Sequence, residues 1–317
     1  MKKYLRGKIN VRGLVEAAAM LLCVFTVTGF LGRFWWVLDL TSHFRIQYVV
    51  GLAALAAVCF LMRIHRWGVA CCLFMAINLA LVIPHCSFGG EPSGQRRTDL
   101  RAMEINVHTE SKHFDLVEKF IREQSPDIVL LVEVNSEWMQ SLAALKAIYP
   151  YVCQESREDN TGIALFSKRP FKNPEILYLG SWGAPSVTAE IEIQGRPIRI
   201  LGTHPPPPVG PKYTLFRDQQ LLEVAAQVKK WSGSIVLLGD LNTTVWSDSF
   251  GQLVLESGLR DTGRGQGIQA TFPVKHLPLR IAIDHCLISG DLHVVSRKVG
   301  ADVGSDHFPL LIELATE

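Results

Sequence analysis

At 317 residues the chain exceeds one small domain, and length alone suggests about two. With 48% hydrophobic residues and a mean hydropathy of +0.18 it is apolar for a soluble enzyme, and the excess lies before residue 90. A formal net charge of +2 excludes a whole-chain electrostatic case for a nucleic-acid partner while leaving room for a local basic patch; seven cysteines without CxxC or Cys/His spacing indicate neither a zinc site nor a disulfide framework.

Three apolar segments, residues 14–31, 46–62 and 67–83, come first. Each has about the length that crosses a bilayer's hydrocarbon core, roughly 17 to 20 residues at 1.5 Å each. Trp35 and Trp36 follow the first segment and Trp67 opens the third, where amphipathic rings favour the interface; Pro84 closes the third. A signal peptide competes for the first segment, but no small-x-small cleavage site follows it and two more spans do. Lys2, Lys3, Arg6, Lys8 and Arg12 put the N-terminus on the cytoplasmic side, and Arg63 and Arg66 put the second loop there. An odd number of spans then leaves everything after Pro84 outside, the periplasm in a Gram-negative cell, although Arg96, Arg97 and Arg101 pull the other way. The expected location is the inner (plasma) membrane, multi-pass, with the lipid bilayer as partner; no protein partner is readable. Glu16 lies within a turn of the first segment's start and is expected to snorkel to the headgroups. Transport is disfavoured, because the spans offer no evident polar pairs or broken helices. Cys23, Cys59, Cys71 and Cys72 read as small buried hydrophobes, while pairing among Cys86, Cys153 and Cys286 stays open.

The expected division is a three-span anchor over 1–86, a Gly/Pro/Ser/Gln/Arg linker over 87–98 and a soluble domain over 99–317. That domain alternates apolar runs with helical patterns, the signature of an α/β layered fold. Strands are expected at 103–107, 127–134, 162–167, 187–193 and 198–203, and helices at 115–124, 138–148 and 213–231. The run SIVLLGDLN, residues 234–242, is the sharpest signal. Its four central aliphatics read as a strand buried on both faces, Gly239 releases the backbone, and Asp240 and Asn242 stand at the strand's C-terminal edge, where α/β folds place ligand groups. An Asx-type turn would explain the same residues. Glu133 sits on a buried apolar strand and needs a partner or a metal. His204 follows a strand and is stiffened by Pro205 to Pro208. Asp284 lies in the apolar run IAIDHCLIS, and Asp306 and His307 precede the last strand in VGSDHFPLL. With Asn106, these polar residues at strand ends have the distribution of groups delivered to one pocket.

In this order the residues resemble the endonuclease/exonuclease/phosphatase superfamily, carried by GDLN, IDH and SDH over roughly residues 100–317, and the membrane-spanning bacterial members look closest. The resemblance implies a four-layer α/β/β/α sandwich behind an N-terminal transmembrane helical segment. It implies a hydrolase of phosphate esters using Mg²⁺ or Mn²⁺. It implies Glu133 as principal metal ligand, helped by Asn106 and Asp306, all hard oxygen donors. Asp240 would orient or deprotonate water, Asn242 would hold a phosphate oxygen, and His307 would contact the scissile phosphate with Asp284 fixing its tautomer. His204 would be general acid for the leaving oxygen. Asn160, in NTGIALFSKRP, is a candidate substrate contact. Departures from the family pattern are Val132 before Glu133 where many members have Gln, His108 where some nucleases have an acid, and THPPPP in place of the tyrosine motif of abasic-site endonucleases. They weaken a DNA-repair role.

The leading expectation is a membrane-anchored, metal-dependent phosphoesterase, nuclease-like, acting on phosphodiester or phosphomonoester bonds. Hydrolysis of a phospholipid or sphingomyelin headgroup ester is the alternative, and a non-catalytic scaffold the rival class. Arg157, Lys168, Arg169, Lys172 and Arg264 could form a basic stripe for a nucleic acid, or a solvated face. A tether would serve either substrate.

Overall fold

The computed structural model describes residues 10–86 and 97–316, so Lys2, Lys3, Arg6, Lys8, Arg96 and most of the expected linker lie outside the described residues. The chain divides into two compact units, Met1–Pro84 and His85–Glu317.

The first unit is helical: α1 (Val11–Thr28), α2 (Trp36–Leu40), α3 (Arg45–Leu61) and α4 (His65–Val82). Three stretches, Val11–Thr28, Trp36–Leu61 and His65–His85, are long and apolar enough to cross a membrane. Asn10 caps α1 by accepting from the Arg12 amide at 3.1 Å. Ala19, Cys23, Ala56, Cys59 and Cys71 are buried, and such small side chains let helices approach closely. All seven cysteines are free thiols. Glu16 pairs with Arg12 at 3.0 Å on a partly exposed face, as a residue near a helix start can. The expectation of spans without polar pairs is corrected. Arg45 Nη1 donates to the Thr26 carbonyl at 2.8 Å and to Asn78 Oδ1 at 3.3 Å, and Asn78 Nδ2 donates to Thr26 Oγ1 at 2.8 Å. All three residues are buried, so one polar knot ties α1, α3 and α4. Single-residue inspection misses it because its members are distant in sequence.

The second unit holds two mixed six-stranded sheets. The first runs β11 (Leu292–Val299), β12 (Leu310–Thr316), β1 (Leu100–Asn106), β2 (Ile128–Val132), β4 (Ile163–Ser167), β3 (Tyr151–Glu155). The second runs β5 (Lys172–Tyr178), β6 (Pro185–Ile193), β7 (Arg196–Gly202), β8 (Ser234–Asp240), β10 (Asp284–Ile288), β9 (Arg260–Asp261). Leu130, Val132, Leu165, Ile191, Ile200, Val236 and Leu238 belong to one buried cluster between the sheets. Alternate residues of the same strands face outward. Met103, Ile105, Val129 and Leu131 pack with α5 (Phe114–Gln124) and α6 (Ser136–Ser141), and Leu201, Leu237 and Leu287 pack with α7 (Pro211–Lys229) and α8 (Asp248–Ser257). Strands buried on both faces read as continuous apolar runs, and the result is the α/β/β/α sandwich. Gly202 permits close sheet approach, since a Cβ there would meet Leu130 Cδ1 at 2.3 Å.

Each sheet has a parallel central pair flanked by an antiparallel strand: β1 beside β2 and β12, β8 beside β7 and β10. The registers Leu310↔Glu104, Val132↔Ile163, Asp284↔Asp240 and Val187↔Gly202 bring the loops around residues 107–113, 133–135, 156–162, 179–184, 203–210, 241–247, 262–283 and 300–309 to one edge of the sandwich. The expected helix 138–148 is α6 followed by a 3₁₀ turn, Ala143–Ala147. Glu133 lies one residue past β2 rather than on the strand.

Gly239 cannot be replaced cheaply. Its φ is +153°, and an added Cβ would stand 1.9 Å from the Thr203 carbonyl oxygen. Gly239→Ala is expected to cost about 2 kcal/mol or more, a fall of roughly 4–8 °C in a thermal unfolding midpoint followed in detergent.

Candidate active site

β1 and β2 end at Asn106 and Val132, and β7 and β8 end near His204 and at Asp240, so two sheets deliver side chains to one seam. Asn106 Nδ2 bridges it, donating to Glu133 Oε1 at 2.8 Å and to Asp240 Oδ2 at 3.1 Å. Its Oδ1 accepts from the His108 amide at 2.9 Å. Asp240 Oδ2 lies 3.6 Å from His307 Nε2 and 3.5 Å from His204 Nε2, and Asp240 Oδ1 accepts from the Asn242 amide at 2.9 Å. His307 Nδ1 contacts Asp284 Oδ1 and Oδ2 at 3.1 and 2.9 Å, which leaves Nε2 facing the pocket. His204 Nε2 is 4.0 Å from Glu133 Oε1 and 3.2 Å from Asn242 Nδ2, which also donates to the Pro205 carbonyl at 3.0 Å.

The structure thus joins seven of the sequence-selected residues, Asn106, Glu133, His204, Asp240, Asn242, Asp284 and His307, in one contact network. Asp306 is half-buried beside His307 and contributes negative charge to it. Asn160 stands exposed in the β3–β4 loop, outside this network. Glu133, Asn160, Asn242 and His108 all take left-handed backbone, with φ of 62°, 64°, 50° and 57°. Non-glycine residues adopt this conformation at some cost, and such strain clusters at functional sites.

Several supporting groups escape sequence reading. Thr109 Oγ1 donates to the Glu133 carbonyl at 2.8 Å and holds the strained residue. Ser305 Oγ donates to the Asn106 carbonyl at 2.7 Å and accepts from the His307 amide at 3.1 Å, pinning the SDH turn to β1. Arg217, buried in α7, donates to the Asn242 carbonyl at 3.3 Å. Phe272 packs against the His307 ring, centroids 4.6 Å apart and tilted by 36°. Only Ser305 had a sequence signal, the hydroxyl two residues ahead of a histidine in a turn.

The electrostatics follow from burial. Burial opposes a charge on His307, but Asp284 and then Asp240 outweigh it and lift the imidazole to about 10. Burial likewise opposes ionisation of Asp284, and the facing His307 charge overrides it, holding that carboxyl below its usual value. For Asp240 burial wins over His307 and pushes the carboxyl up to about 6. Beneath them Glu104 is fully buried, and burial followed by the charges of Asp284 and Asp240 lifts it well above the carboxylate range.

Two sets of residues could take a cation. Ligand atoms of Asp240, Asp284 and His307 lie within 4.8 Å of one another, but Asp284 already engages His307 Nδ1, and both carboxylates favour a proton on that ring over a metal. Glu133 and Asp306 are carboxylates at the more open side of the seam, hard oxygen donors suited to a divalent ion. The Asn106 carboxamide turned by 180° would add its oxygen to them.

The family model described as Endonuclease/Exonuclease/phosphatase family matches residues 103–307. The chain belongs to this family. Its members are metal-dependent phosphoester hydrolases, and this chain is such an enzyme by membership. No curated protein matches the sequence significantly. Among solved structures, an endonuclease/exonuclease/phosphatase from Bacteroides vulgatus is similar at 22% identity and TM-score 0.59, covering 70% of this chain and 100% of that one. A variant of Staphylococcus aureus beta toxin with bound magnesium ions is similar at 18% identity and TM-score 0.55, covering 68% and 99%. D. rerio TDP2 complexed with single-strand DNA product gives 16% identity and TM-score 0.58, covering 68% and 99%. Identities this low carry the family's fold and nothing finer.

The raised His307 value implies a definite pH response. A group whose folded pKa exceeds its unfolded value, here about 10 against 6.5, contributes stability fully present below 6.5 and lost as pH rises through 10. Asp284→Asn removes the main counter-charge, so His307 is expected to titrate far closer to 6.5 in histidine-selective NMR, with its share of stability lost at correspondingly lower pH.

Proposed function

We propose that the protein is a membrane-anchored phosphodiesterase of the bacterial membrane-spanning type, in which residues 1–86 anchor the hydrolase of residues 99–317 through the linker 87–98. The observation that carries this reading is the seam itself, where buried Asp240 stands 3.6 Å from His307 Nε2 and 3.5 Å from His204 Nε2, with burial pushing its carboxyl up to about 6. A base with a pKa of about 6 is mostly ionised at pH 7 and still accepts a proton.

In the proposed reaction Asp240 orients the attacking water and takes its proton while an O–P bond forms. Asn242 and His307 hold phosphate oxygens, and Asp284 keeps His307 charged and oriented through Nδ1. The bond from phosphorus to the leaving oxygen breaks, and His204 gives that oxygen a proton, so one water is consumed and no other reactant is needed. Developing negative charge on phosphorus is met by the His307 imidazolium. Glu133 and Asp306, with Asn106, would hold Mg²⁺ or Mn²⁺, which supplies electrophilic charge to the phosphate when bound. Exposed Asn160 is kept as a candidate substrate contact at the rim. For location, the reading places the enzyme in the inner (plasma) membrane with its hydrolase on the periplasmic or extracellular side.

Purified full-length protein is expected to hydrolyse bis(p-nitrophenyl) phosphate in Mg²⁺ or Mn²⁺ and to stop in EDTA. Asp240→Ala, His307→Ala and Glu133→Gln should each lower kcat/KM by about a thousandfold or more. Equal rates in wild type and all three variants would sink the assignment. A reporter active only outside the cytoplasm, fused after residue 317, is expected to be active; signal from a cytoplasmic reporter alone would reverse the topology.

A further inference from the structure

The same edge that carries the catalytic seam carries apolar residues turned to solvent. The loop from Thr271 to Ile283 is closed by the Phe272↔Ile281 bridge, and its base packs Phe272 against His307. Beyond the bridge, Lys275 to Leu279 are all exposed, with Leu277 at 70%. The tip is not slack. Arg280 donates to the Pro273 and Val274 carbonyls, and the Val274 amide donates to the Asp306 carbonyl at 2.9 Å, so the leucines stand on a braced platform beside the SDH turn. Across the pocket the His204 loop continues through exposed Val209 into α7, where Tyr213 is exposed and packs 5.2 Å from Trp182. Arg217, one turn further, grips Asn242. The seam therefore has two apolar lips, each fastened to a catalytic loop.

Charge narrows what these lips meet. Residues 97–316 contain 22 Lys and Arg against 26 Asp and Glu, a net of −4. The basic candidates Arg157 and Lys172 are spent on Glu155 and Glu192, at 2.5 and 2.9 Å. A nucleic acid is bound chiefly by neutralising phosphates, and a unit of net negative charge with these two cations already paired suits it less. Exposed Leu, Val and Tyr with single lysines at their margins, Lys275 and Lys212, instead match the composition of an interfacial surface, where apolar side chains enter the acyl boundary and lysines face headgroups. His85 lies at this edge too: its carbonyl accepts from the Gly267 amide at 3.0 Å, and its ring meets Trp246 edge-on at 6.1 Å.

We propose that the catalytic edge docks on a bilayer surface through Leu277 and Leu279 on one lip and Val209 and Tyr213 on the other, and that the ester hydrolysed is a phosphodiester of a phospholipid headgroup. This rests on the phosphodiesterase reading above and adds to it the partner and the substrate class. The lips bring the seam to the headgroup layer, so a lipid need not leave the membrane to reach Asp240 and His307.

The test uses the full chain reconstituted in vesicles of phosphatidylcholine and phosphatidylglycerol with Mg²⁺, comparing wild type with Leu277→Asp/Leu279→Asp and with Val209→Asp. Headgroup release is read beside turnover of bis(p-nitrophenyl) phosphate and of single-stranded DNA in detergent. The expected result is headgroup release by wild type, a fall of about tenfold or more in both variants, and unchanged turnover of the soluble ester, which also shows that the variants are folded. Wild-type headgroup release in the variants, or DNA turnover without any lipid hydrolysis, overturns the proposal and leaves the phosphodiesterase reading standing. No metal-dependent turnover of any of the three substrates overturns both.

Discussion

The structure of the site depends on one hydrogen-bonded bridge between two sheets, Asn106 of the first donating to Asp240 of the second. That contact exists only because the sheets pack face to face with their central parallel pairs ending at the same edge. Gly202 and the fully buried aliphatic layer set the approach. A slip of one residue in either strand would turn Asn106 or Asp240 to the opposite face, since side chains alternate along a strand. The catalytic geometry is thus a consequence of sheet register, and the interior that fixes the register is the largest apolar cluster of the second unit.

How much of this was legible in the sequence follows from where each signal sits. Asp240, Asn242, His204 and His307 were visible because a polar residue ending a buried aliphatic run has few explanations. The four-layer sandwich followed from the family motifs, and the doubly buried strands β2, β4 and β8 from their continuous apolar runs. Strand β5 was invisible. It is an edge strand, largely exposed and interrupted by Pro174, and only Ile176 and Leu177 pack against the cores, too few to make an apolar run. Thr109 and Arg217 were missed for another reason: each acts on a backbone carbonyl, and such contacts leave no residue-type signature until the chain is folded. Position along a helix was legible and partnership was not. Glu16 sits near a helix start on a partly exposed face as its position suggested, whereas buried Arg45 is met by Asn78 and Thr26 from two other helices, which no single stretch of sequence shows.

The two units use buried polarity in opposite ways. In the helical unit Arg45 Nη1 donates to two neutral oxygens on other helices, an arrangement that locks helices together. In the hydrolase, polar groups are held by incomplete compensation. His307 shares Asp284 fully yet reaches Asp240 only at 3.6 Å, and Asp240 is lifted to about 6 because burial outweighs what its neighbours return. Groups left in that condition are the ones able to exchange a proton with a substrate.

The same accounting argues for a cation at the seam. Glu133, Asp240, Asp284 and Asp306 line it, with Glu104 buried below, against two cations, His307 and the buried Arg297, whose Nη2 donates to the Asp284 carbonyl at 3.3 Å. The acids outnumber these cations, and a protein relieves such an excess by protonating a carboxyl or by admitting a cation. Burial, followed by the charges of Asp284 and Asp240, pushes Glu104 toward the first course. Glu133 lies at the more open side, backed by the Asn106 amide and held in a strained conformation by Thr109. Its carboxylate is turned to the Asn106 amide and lies 4.0 Å from His204 Nε2, a position from which it can also meet a cation. A divalent ion on Glu133 and Asp306 would balance the excess that His307 leaves, and it would bring the phosphate, itself an anion, into a pocket that would otherwise repel it.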